Sequence, residues 1–245
     1  MSRLPSAKWM IPWVGGLLLA VAMAACEGGG EPDLTARPIS DADLGTMAVY
    51  EVDLPPEFAD FVRTTESGFK TNEQSVERHF DPADEAQDLE LFGQVREYVR
   101  VYRLPVGGQI PQKEAISLIS SARLFEDPSG ASDYLEDELA DMEASVGKDM
   151  GGTTIEKIER FKVDGIADQA VGVRTTLLLP DNDSERPAYG TQVSFRSGRL
   201  LLTIEAIRTN DKDIGAELED LARGLDERIQ VVLQATLMPS PTVTQ

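Results

Sequence analysis

Four stretches rich in β-branched and aromatic residues follow one another between residues 153 and 208, and they restrict the fold more than any other feature. Such side chains, interleaved with polar ones, are typical of strands. The predicted strands are 153–163, 169–179, 189–196 and 199–208. Ser197-Gly198 lies between the last two, and glycine suits the positive φ of a two-residue hairpin loop. Successive hairpins of this kind predict an antiparallel sheet.

Amphipathic helices are predicted before and after these strands. The longest, at about 211–236, begins with acidic residues, which the helix dipole favours, and it carries one apolar face. That face comprises Ile214, Leu218, Leu221, Leu225, Ile229, Val232 and Leu233. A second helix is predicted over 127–147, because proline follows a capping aspartate at its start and glycine ends it. A third is predicted over 111–125, where apolar residues recur at roughly helical spacing.

The remaining segments complete the predicted order. Residues 94–104 are rich in valine and tyrosine and predict a strand that ends at Pro105. Before it, the pattern allows a short helix at 56–63, a strand around 75–80 and an acidic loop at 81–90. The order of strand, helices, four antiparallel strands and long helix predicts an α+β fold. In this fold, amphipathic helices, including the long C-terminal one, cover an antiparallel sheet.

Residues 1–25 predict a secretory signal peptide. Arg3 and Lys8 form a basic start, the apolar stretch 9–22 follows, and small residues come next. The apolar stretch contains one proline and two glycines and is shorter than the roughly 20 residues of a membrane span. The pattern therefore favours export of the chain over a membrane-spanning helix.

The next residues, Met23-Ala24-Ala25-Cys26, resemble the lipobox of bacterial lipoproteins, in which leucine is usual at the first position. This resemblance implies that Cys26 becomes the first mature residue and that its thiol receives a diacylglycerol. Acyl chains such as palmitate then hold a protein at a membrane by about 0.8 kcal/mol for each buried CH₂ group. The alternatives are an ordinary cut after Ala24, or an uncleaved anchor.

Cys26 is the only cysteine of the chain, so an exported protein of this sequence has no internal disulfide. Acylation would account for its single thiol. We predict a flexible tether over 26–46, a single α+β globular domain over 47–238 and a disordered tail over 239–245. The expected location is outside the cytoplasm, with the lipid anchor in the outer face of the cell membrane.

Strong negative charge limits the partners. The full chain carries a net charge of −20, and removal of residues 1–25 takes away two bases and no acid, which makes it −22. Nucleic acids and anionic lipid headgroups repel such a surface, so neither is expected as a partner. The expected partners are the membrane, through the lipid anchor, and an unknown protein or cell-envelope component.

No catalytic motif is recognisable in the sequence. His79 is the only histidine, which argues against a zinc site with histidine or cysteine ligands and against a Ser-His-Asp relay. The hydrolase, metalloprotease and phosphate-loop motifs are also absent. We therefore predict no catalytic residue, no cofactor and no metal. Because carboxylates are too numerous to single out a pair, a carboxylate-dependent cell-envelope hydrolase remains the alternative.

A weak calcium pattern lies in the predicted loop 181–187. Carboxylates alternate there at Asp181, Asp183 and Glu185. A calcium-binding loop of this type would need glycine and glutamate at later positions, where this chain has Arg186 and Gln192. Weak calcium binding by the loop is a hypothesis that the pattern supports only in part.

Four residues of the predicted strand 94–104 share one face, because side chains alternate along a strand. They are Arg96, Tyr98, Arg100 and Tyr102. Guanidinium groups beside aromatic rings would suit an anion or a sugar, so we consider this face as a ligand platform. The alternative is that the arginine stems cover the sheet and pair with the many acids.

Three short segments resemble a pattern of known exported proteins. They are Gly165–Ala170, Val193–Leu200 and Leu221–Asp226. Together, over about 165–230, they are similar to small exported bacterial lipoproteins and sensor-type extracellular domains with a PsbP-like α/β/α sandwich. Ala167 precedes Asp168 where that pattern has glycine. The resemblance implies a helix-covered antiparallel sheet and a non-enzymatic binding or accessory role.

Overall fold

The computed structural model describes residues 38–77, 82–105, 115–150, 152–181 and 184–235. In this part of the chain, a nine-stranded antiparallel sheet is covered by helices on both faces, which confirms the α+β class. The described residues belong to one compact unit. Several predicted features lie outside them, namely the signal peptide 1–25, Cys26, His79, Asp183 and the tail 239–245.

The strands are β1 (Val62–Arg63), β2 (Gly68–Lys70), β3 (Gln94–Arg103), β4 (Ala115–Phe125), β5 (Asp149–Met150), β6 (Thr153–Lys162), β7 (Gln169–Asp181), β8 (Ser184–Ser197) and β9 (Leu200–Arg208). The helices are α1 (Asp41–Thr46), α2 (Asn72–Val76), α3 (Pro82–Leu91), α4 (Pro128–Ala144) and α5 (Gly215–Ala235), with 3₁₀ turns at Glu51–Asp53 and Pro56–Phe58. The strand order is β1-β3-β4-β9-β8-β7-β6-β5, and β2 also pairs with β3.

The C-terminal hairpins follow the sequence prediction closely. Strands β6 to β9 pair in consecutive antiparallel order, and α5 follows them. Ser197 pairs with Leu200, so the last hairpin loop is Gly198-Arg199, one residue later than predicted. Gly198 has a φ of 57°, the positive value that the loop requires.

Residues 111–125 do not form the predicted helix. The described part of this segment is strand β4, which pairs with β3 on one side and β9 on the other. Helices cover both faces of the sheet at its centre, so apolar residues occur on both faces of β4 and their spacing imitates a helix. Pairing on both sides overrides that local pattern.

The segment before β3 is helical where a strand and a loop were predicted. The described start of the strand expected around 75–80 belongs instead to α2, which ends at Val76. The acidic stretch 81–90 is mostly α3, with proline at its start and two acidic residues in its first turn. Both features favour a helix N-terminus. Leu89 lies on the buried face of this helix.

The folded domain begins earlier than predicted. Residues 41–46 form α1, although they were assigned to the flexible tether 26–46. Ser40 caps this helix by accepting a hydrogen bond from the Asp43 N–H, and the Asp43 carboxylate accepts one from the Ser40 N–H. Leu44 is fully buried, so the end of the predicted tether is part of the domain.

Two apolar cores lie on opposite faces of the sheet. On one face, α5 and the segment from Ile39 to Phe61 pack on the central strands. On the other face, α3 and α4 pack on a smaller core that contains Phe125 and Leu201. Among the described residues, no helix has both the length and the apolar character needed to cross a membrane. A polar site forms on this second face of the sheet, the one that α3 and α4 cover.

Candidate functional site

A polar pocket of about 170 Å³ lies between the sheet and the helices on its second face. Its lining comes from seven elements of the fold and is mostly polar. The lining residues are Ser75, Glu85, Glu97, Val99, Ile119, Ser121, Arg123, Glu138, Gln192, Thr203 and Glu205. We call this cavity the glutamate pocket.

Strand alternation places the floor of the glutamate pocket. On this face of β9, Leu201 belongs to the apolar core, whereas Thr203 and Glu205 line the pocket. On the same face of β4, Phe125 belongs to the core and Arg123 lines the pocket. The face therefore changes from apolar to polar along neighbouring strands.

A buried network forms one wall of the pocket. Arg123 lies 3.3 Å from a carboxylate oxygen of Glu97, whose side chain is only 2% exposed. Arg123 also donates a hydrogen bond to the hydroxyl of Tyr134, which donates to Glu85 at 3.2 Å. Ser75 donates to the second oxygen of Glu97 at 2.7 Å. The donors of this wall are therefore engaged within the protein.

The guanidinium of Arg123 stays charged in this wall. Burial by itself would lower the Arg123 pKa, but the oxygens of Tyr134 and Glu97, with Glu138 and Glu85 behind them, raise it well above its ordinary value. A charge that is paired and hydrogen-bonded in this way tolerates burial.

Glu205 lies on the floor of the pocket and differs from the other glutamates. Burial, and then the charge of Glu138, raise the pKa of Glu205 to about 7. Within the described residues, no group donates a hydrogen bond to its carboxylate. The pocket therefore contains a carboxyl group that titrates near neutral pH, and such groups are concentrated at functional sites.

Two further residues of the pocket floor have a side-chain oxygen without a hydrogen-bond partner among the described residues. Ser121 and Gln192 are each only 8% exposed and both line the pocket. Gln192 donates through Nε2 to the hydroxyl of Ser194 at 2.9 Å. Among the described residues, neither the Ser121 hydroxyl nor the Gln192 Oε1 has a hydrogen-bond partner. These two oxygens belong to residues that line the pocket, where a bound molecule can reach them.

Comparison with known proteins gives the fold and no family. No family model and no curated protein matches the chain. A solved structure, the extracellular domain of PknH from Mycobacterium tuberculosis, is similar at a TM-score of 0.51 and 8% identity, over 80% of this chain and 99% of that one. The chain shares the fold of this extracellular domain. The resemblance to extracellular domains agrees with this fold, and a PsbP-like fold is not confirmed.

A second solved structure, a protein of unknown function from Pseudomonas aeruginosa, matches at 18% identity over 60% of this chain and 85% of that one. Its TM-score of 0.27 is too low to support an argument.

The predicted ligand platform on β3 is occupied by the domain itself. Its four residues, Arg96, Tyr98, Arg100 and Tyr102, share one face as expected, but the N-terminal segment packs on it. Arg96 forms an ion pair with Asp41 and stays partly exposed, as does Tyr98. Tyr102 is buried and donates to the main-chain oxygen of Val49 at 2.6 Å. The half of this face at Arg100 and Tyr102 is therefore an internal contact surface.

Arg100 is the centre of that contact. Its guanidinium donates to the main-chain oxygens of Gly45, Ala48 and Val49 at 2.8 to 3.2 Å. The ring of Tyr50 lies 3.8 Å from the guanidinium carbon, within the range of a cation–π contact. The sequence prediction missed this role because the residues that contact Arg100 lie about 50 positions earlier in the chain.

The predicted calcium loop 181–187 is mostly paired strand. Asp181 pairs with Ser184, and Glu185 pairs with Pro180 across the β7–β8 hairpin. A twelve-residue calcium loop cannot form where the two strands continue to within two residues of each other. Arg186 and Gln192, which occupy the later positions of the calcium-loop pattern, also lie in β8.

Three aspartates on α3 and α4 form another acidic group. Oxygens of Asp88, Asp137 and Asp141 all lie within 4.8 Å of one another, a separation that a cation can bridge. Burial and then the mutual repulsion of these charges raise the pKa values of Asp88 and Asp137. The sequence did not indicate this group, because Asp88 on α3 is distant in sequence from Asp137 and Asp141 on α4.

Proposed function

We propose that the chain is a membrane-anchored extracytoplasmic lipoprotein whose globular head is a non-enzymatic binding module. The glutamate pocket carries this proposal. Its floor presents the acceptors of Ser121, Gln192 and Glu205, which no group of the described residues satisfies. A ligand that brings donors into the pocket would satisfy them. The signal-like residues 1–25, the lipobox-like sequence before Cys26 and the fold of an extracellular domain support the location.

The size of the pocket restricts the ligand. A water molecule occupies about 30 Å³ in the liquid, so a cavity of about 170 Å³ has room for about five waters. Pockets for drug-sized ligands range from about 300 to 1,000 Å³. We therefore expect a ligand of few heavy atoms, or the end group of a larger molecule.

The binding role is tested with the full chain purified from its own membrane. The protein is denatured, and the released small molecules are identified by mass spectrometry. We expect a compound that is released by the unaltered chain and lost from the pocket variants Ser121→Leu and Glu205→Gln. The solvent-facing Glu136→Gln on α4 serves as the control. Identical small-molecule profiles for all four proteins, each shown to be folded by circular dichroism, would overturn the proposal.

The anchoring role has a separate test. Mass spectrometry of the membrane-extracted protein is expected to show an N-terminus at Cys26 that carries a diacylglycerol. A Cys26→Ser variant should accumulate with residues 1–25 still attached. An unmodified Cys26 in the mature protein would contradict lipid anchoring and leave the binding role to be judged on its own.

One observation favours the alternative function of a hydrolase. Glu138 and Glu205 line the same pocket, and a glutamate pKa of about 7 suits a general acid at neutral pH. A hydrolase would release product from cell-envelope glycan fragments in proportion to time, and both Glu138→Gln and Glu205→Gln would stop it. Binding of a compound without any product is the result that the binding module predicts.

A further inference from the structure

The glutamate pocket holds more hydrogen-bond acceptors than donors. Among the described residues that line it, charged side chains comprise four glutamates and one arginine. The glutamates are Glu85, Glu97, Glu138 and Glu205. They come from α3, β3, α4 and β9, while α2 and β8 contribute the uncharged Ser75 and Gln192. The pocket therefore has an excess of negative charge, which favours a cationic ligand.

The donors beside the pocket are used inside the protein. Arg123 contacts Glu97 and donates to the Tyr134 hydroxyl, and that hydroxyl in turn donates to Glu85. The Gln192 amide nitrogen donates to the Ser194 hydroxyl. The groups left for a ligand are the Gln192 Oε1 and the Glu205 carboxylate, which accept, and the Ser121 hydroxyl, which can accept or donate. A ligand that supplies N–H or O–H donors therefore fits them best.

These open acceptors are close neighbours on the sheet. Gln192 pairs directly with Glu205 across β8 and β9. Ser121 pairs with Thr203, which lies two residues from Glu205 on the same face. Directly opposed and diagonal neighbours on one sheet face have Cβ atoms about 5 to 8 Å apart. One small group above Glu205 can therefore reach acceptors on three strands.

A metal ion fits this arrangement less well than an organic cation. Calcium and magnesium need several oxygens at about 2.0 to 2.6 Å from the ion, which requires oxygens that already converge. Within the described residues, three carboxylates converge to that extent at Asp88, Asp137 and Asp141, and those residues do not line the glutamate pocket. The pocket also has room for several heavy atoms.

We propose that the glutamate pocket binds the primary ammonium group of a small organic cation. The three N–H donors of an ammonium match the acceptors of Ser121, Gln192 and Glu205, and its charge matches the surplus of carboxylates. This inference rests on the proposed binding role of the pocket and specifies its ligand class.

The test compares three small probes on the full chain in detergent at pH 8, by isothermal titration calorimetry. The probes are n-butylammonium, the neutral n-butanol of similar shape, and tetramethylammonium, which has the charge but no N–H donor. We expect n-butylammonium to bind at least tenfold more tightly than either of the others. Equal binding of n-butanol would contradict the role of charge, and equal binding of tetramethylammonium would contradict the role of the N–H donors.

Variants locate the binding. Glu205→Gln is expected to weaken n-butylammonium binding at least tenfold and Ser121→Ala by about threefold, whereas the control Glu136→Gln should leave it unchanged. Unchanged binding in both pocket variants would place the ammonium elsewhere and overturn the inference. If calcium at millimolar concentration binds in its place and depends on Glu205, the ligand is a metal and the inference is wrong.

The failure of this inference is distinguishable from failure of the proposed function. A compound without an amino group that depends on Ser121 and Glu205 would overturn the ammonium inference alone. Absence of any pocket-dependent compound, together with absence of probe binding, would overturn both.

Discussion

The main-chain N–H of Ala167 donates a hydrogen bond to the carboxylate of Asp226 at 3.1 Å, across 59 residues of sequence. The neighbouring Asp168 accepts hydrogen bonds from the N–H of Gly198 at 2.7 Å and from Arg196 at 3.1 Å. The three segments whose sequence resembles exported sensor-type domains therefore meet at one corner of the fold. Their shared pattern describes a structural joint, and the glutamate pocket does not include it.

Replacing Ala167 with glycine should stabilise the domain. Ala167 has a φ of 49°, in the left-handed region, where the related pattern has glycine. A side chain in this region costs roughly 1–2 kcal/mol, which glycine avoids, less about 0.5–1 kcal/mol for its greater freedom in the unfolded chain. We expect Ala167→Gly to raise the free energy of unfolding by about 0.5–1 kcal/mol in urea denaturation.

The matched control is Ala140→Gly, at an exposed position inside α4. Glycine in a helix interior costs about 1 kcal/mol relative to alanine, so this variant should be less stable. Destabilisation of both variants to the same extent would show that the backbone at Ala167 is not strained.

Sequence patterns predicted the C-terminal half of the fold well because its interactions are local. Each strand from β6 to β9 pairs with the next along the chain, and α5 has a single broad apolar face. Strand β4 was mistaken for a helix because one of its two partners, β9, lies far along the chain. Patterns read in a short window do not contain that pairing.

The glutamate pocket could not be predicted for a related reason. Glu97, Glu138 and Glu205 lie on three elements that meet only through the strand order and the packing of α4. The chain has 43 acidic residues, so no pair of them stands out before the fold is known. The platform on β3 shows the opposite case, in which alternation placed the side chains on one face but gave no sign of the segment that packs on it.

Stability should fall as the pH rises from about 4 to about 7, and Glu205→Gln should reduce this effect. The pKa of Glu205 is raised to about 7 in the folded protein, whereas the pKa of an unfolded glutamate is about 4.3. Between these values the folded state holds a proton that the unfolded state releases, so its contribution to stability is complete below pH 4 and is lost as the pH rises through 7. At pH 8 the variant should be more stable by on the order of 2 kcal/mol.

Urea denaturation at pH 5 and pH 8 checks this prediction. The difference between the two pH values should shrink in Glu205→Gln and stay unchanged in the exposed control Glu136→Gln. A variant that keeps the full pH dependence would assign it to other groups. Loss of stability at both pH values would instead mean that the glutamate side chain makes a contact that glutamine cannot replace.

Arg123→Met should destabilise the domain by about 3–5 kcal/mol, because it leaves the buried Glu97 without its charge partner. The double variant Arg123→Met with Glu97→Gln should recover part of this loss, since the remaining amide carries no charge. Thermal and urea unfolding measure both proteins. If the double variant is no more stable than the single one, the loss comes from packing against Tyr134 and not from the unpaired carboxylate.

Asp137→Asn should stabilise the domain modestly at pH 7. Burial and then repulsion from Asp141 raise the pKa of Asp137, and like charges four residues apart on a helix cost about 0.2–0.5 kcal/mol. The gain should vanish at a pH low enough to protonate the three carboxylates around Asp88. Glu136→Gln, at an exposed position on the same helix with no acid four residues away, is the control and should change stability less.

Arg100→Lys should release the N-terminal segment 41–50 from the sheet. The guanidinium of Arg100 donates to three main-chain oxygens of this segment at 2.8 to 3.2 Å, and a lysine ammonium cannot reproduce its planar fork. The Gly45 oxygen would lose its side-chain donor, whereas Tyr102 still donates to Val49 and Arg228 to Ala48. A buried carbonyl left unpaired costs about 1–3 kcal/mol, so the amides of 41–50 should exchange with deuterium at least tenfold faster. The exposed Arg63, 3.8 Å from Glu51, provides the control Arg63→Lys, which should alter exchange little. Equal exchange in the two variants would mean that apolar contacts of this segment, and not Arg100, hold the start of the domain.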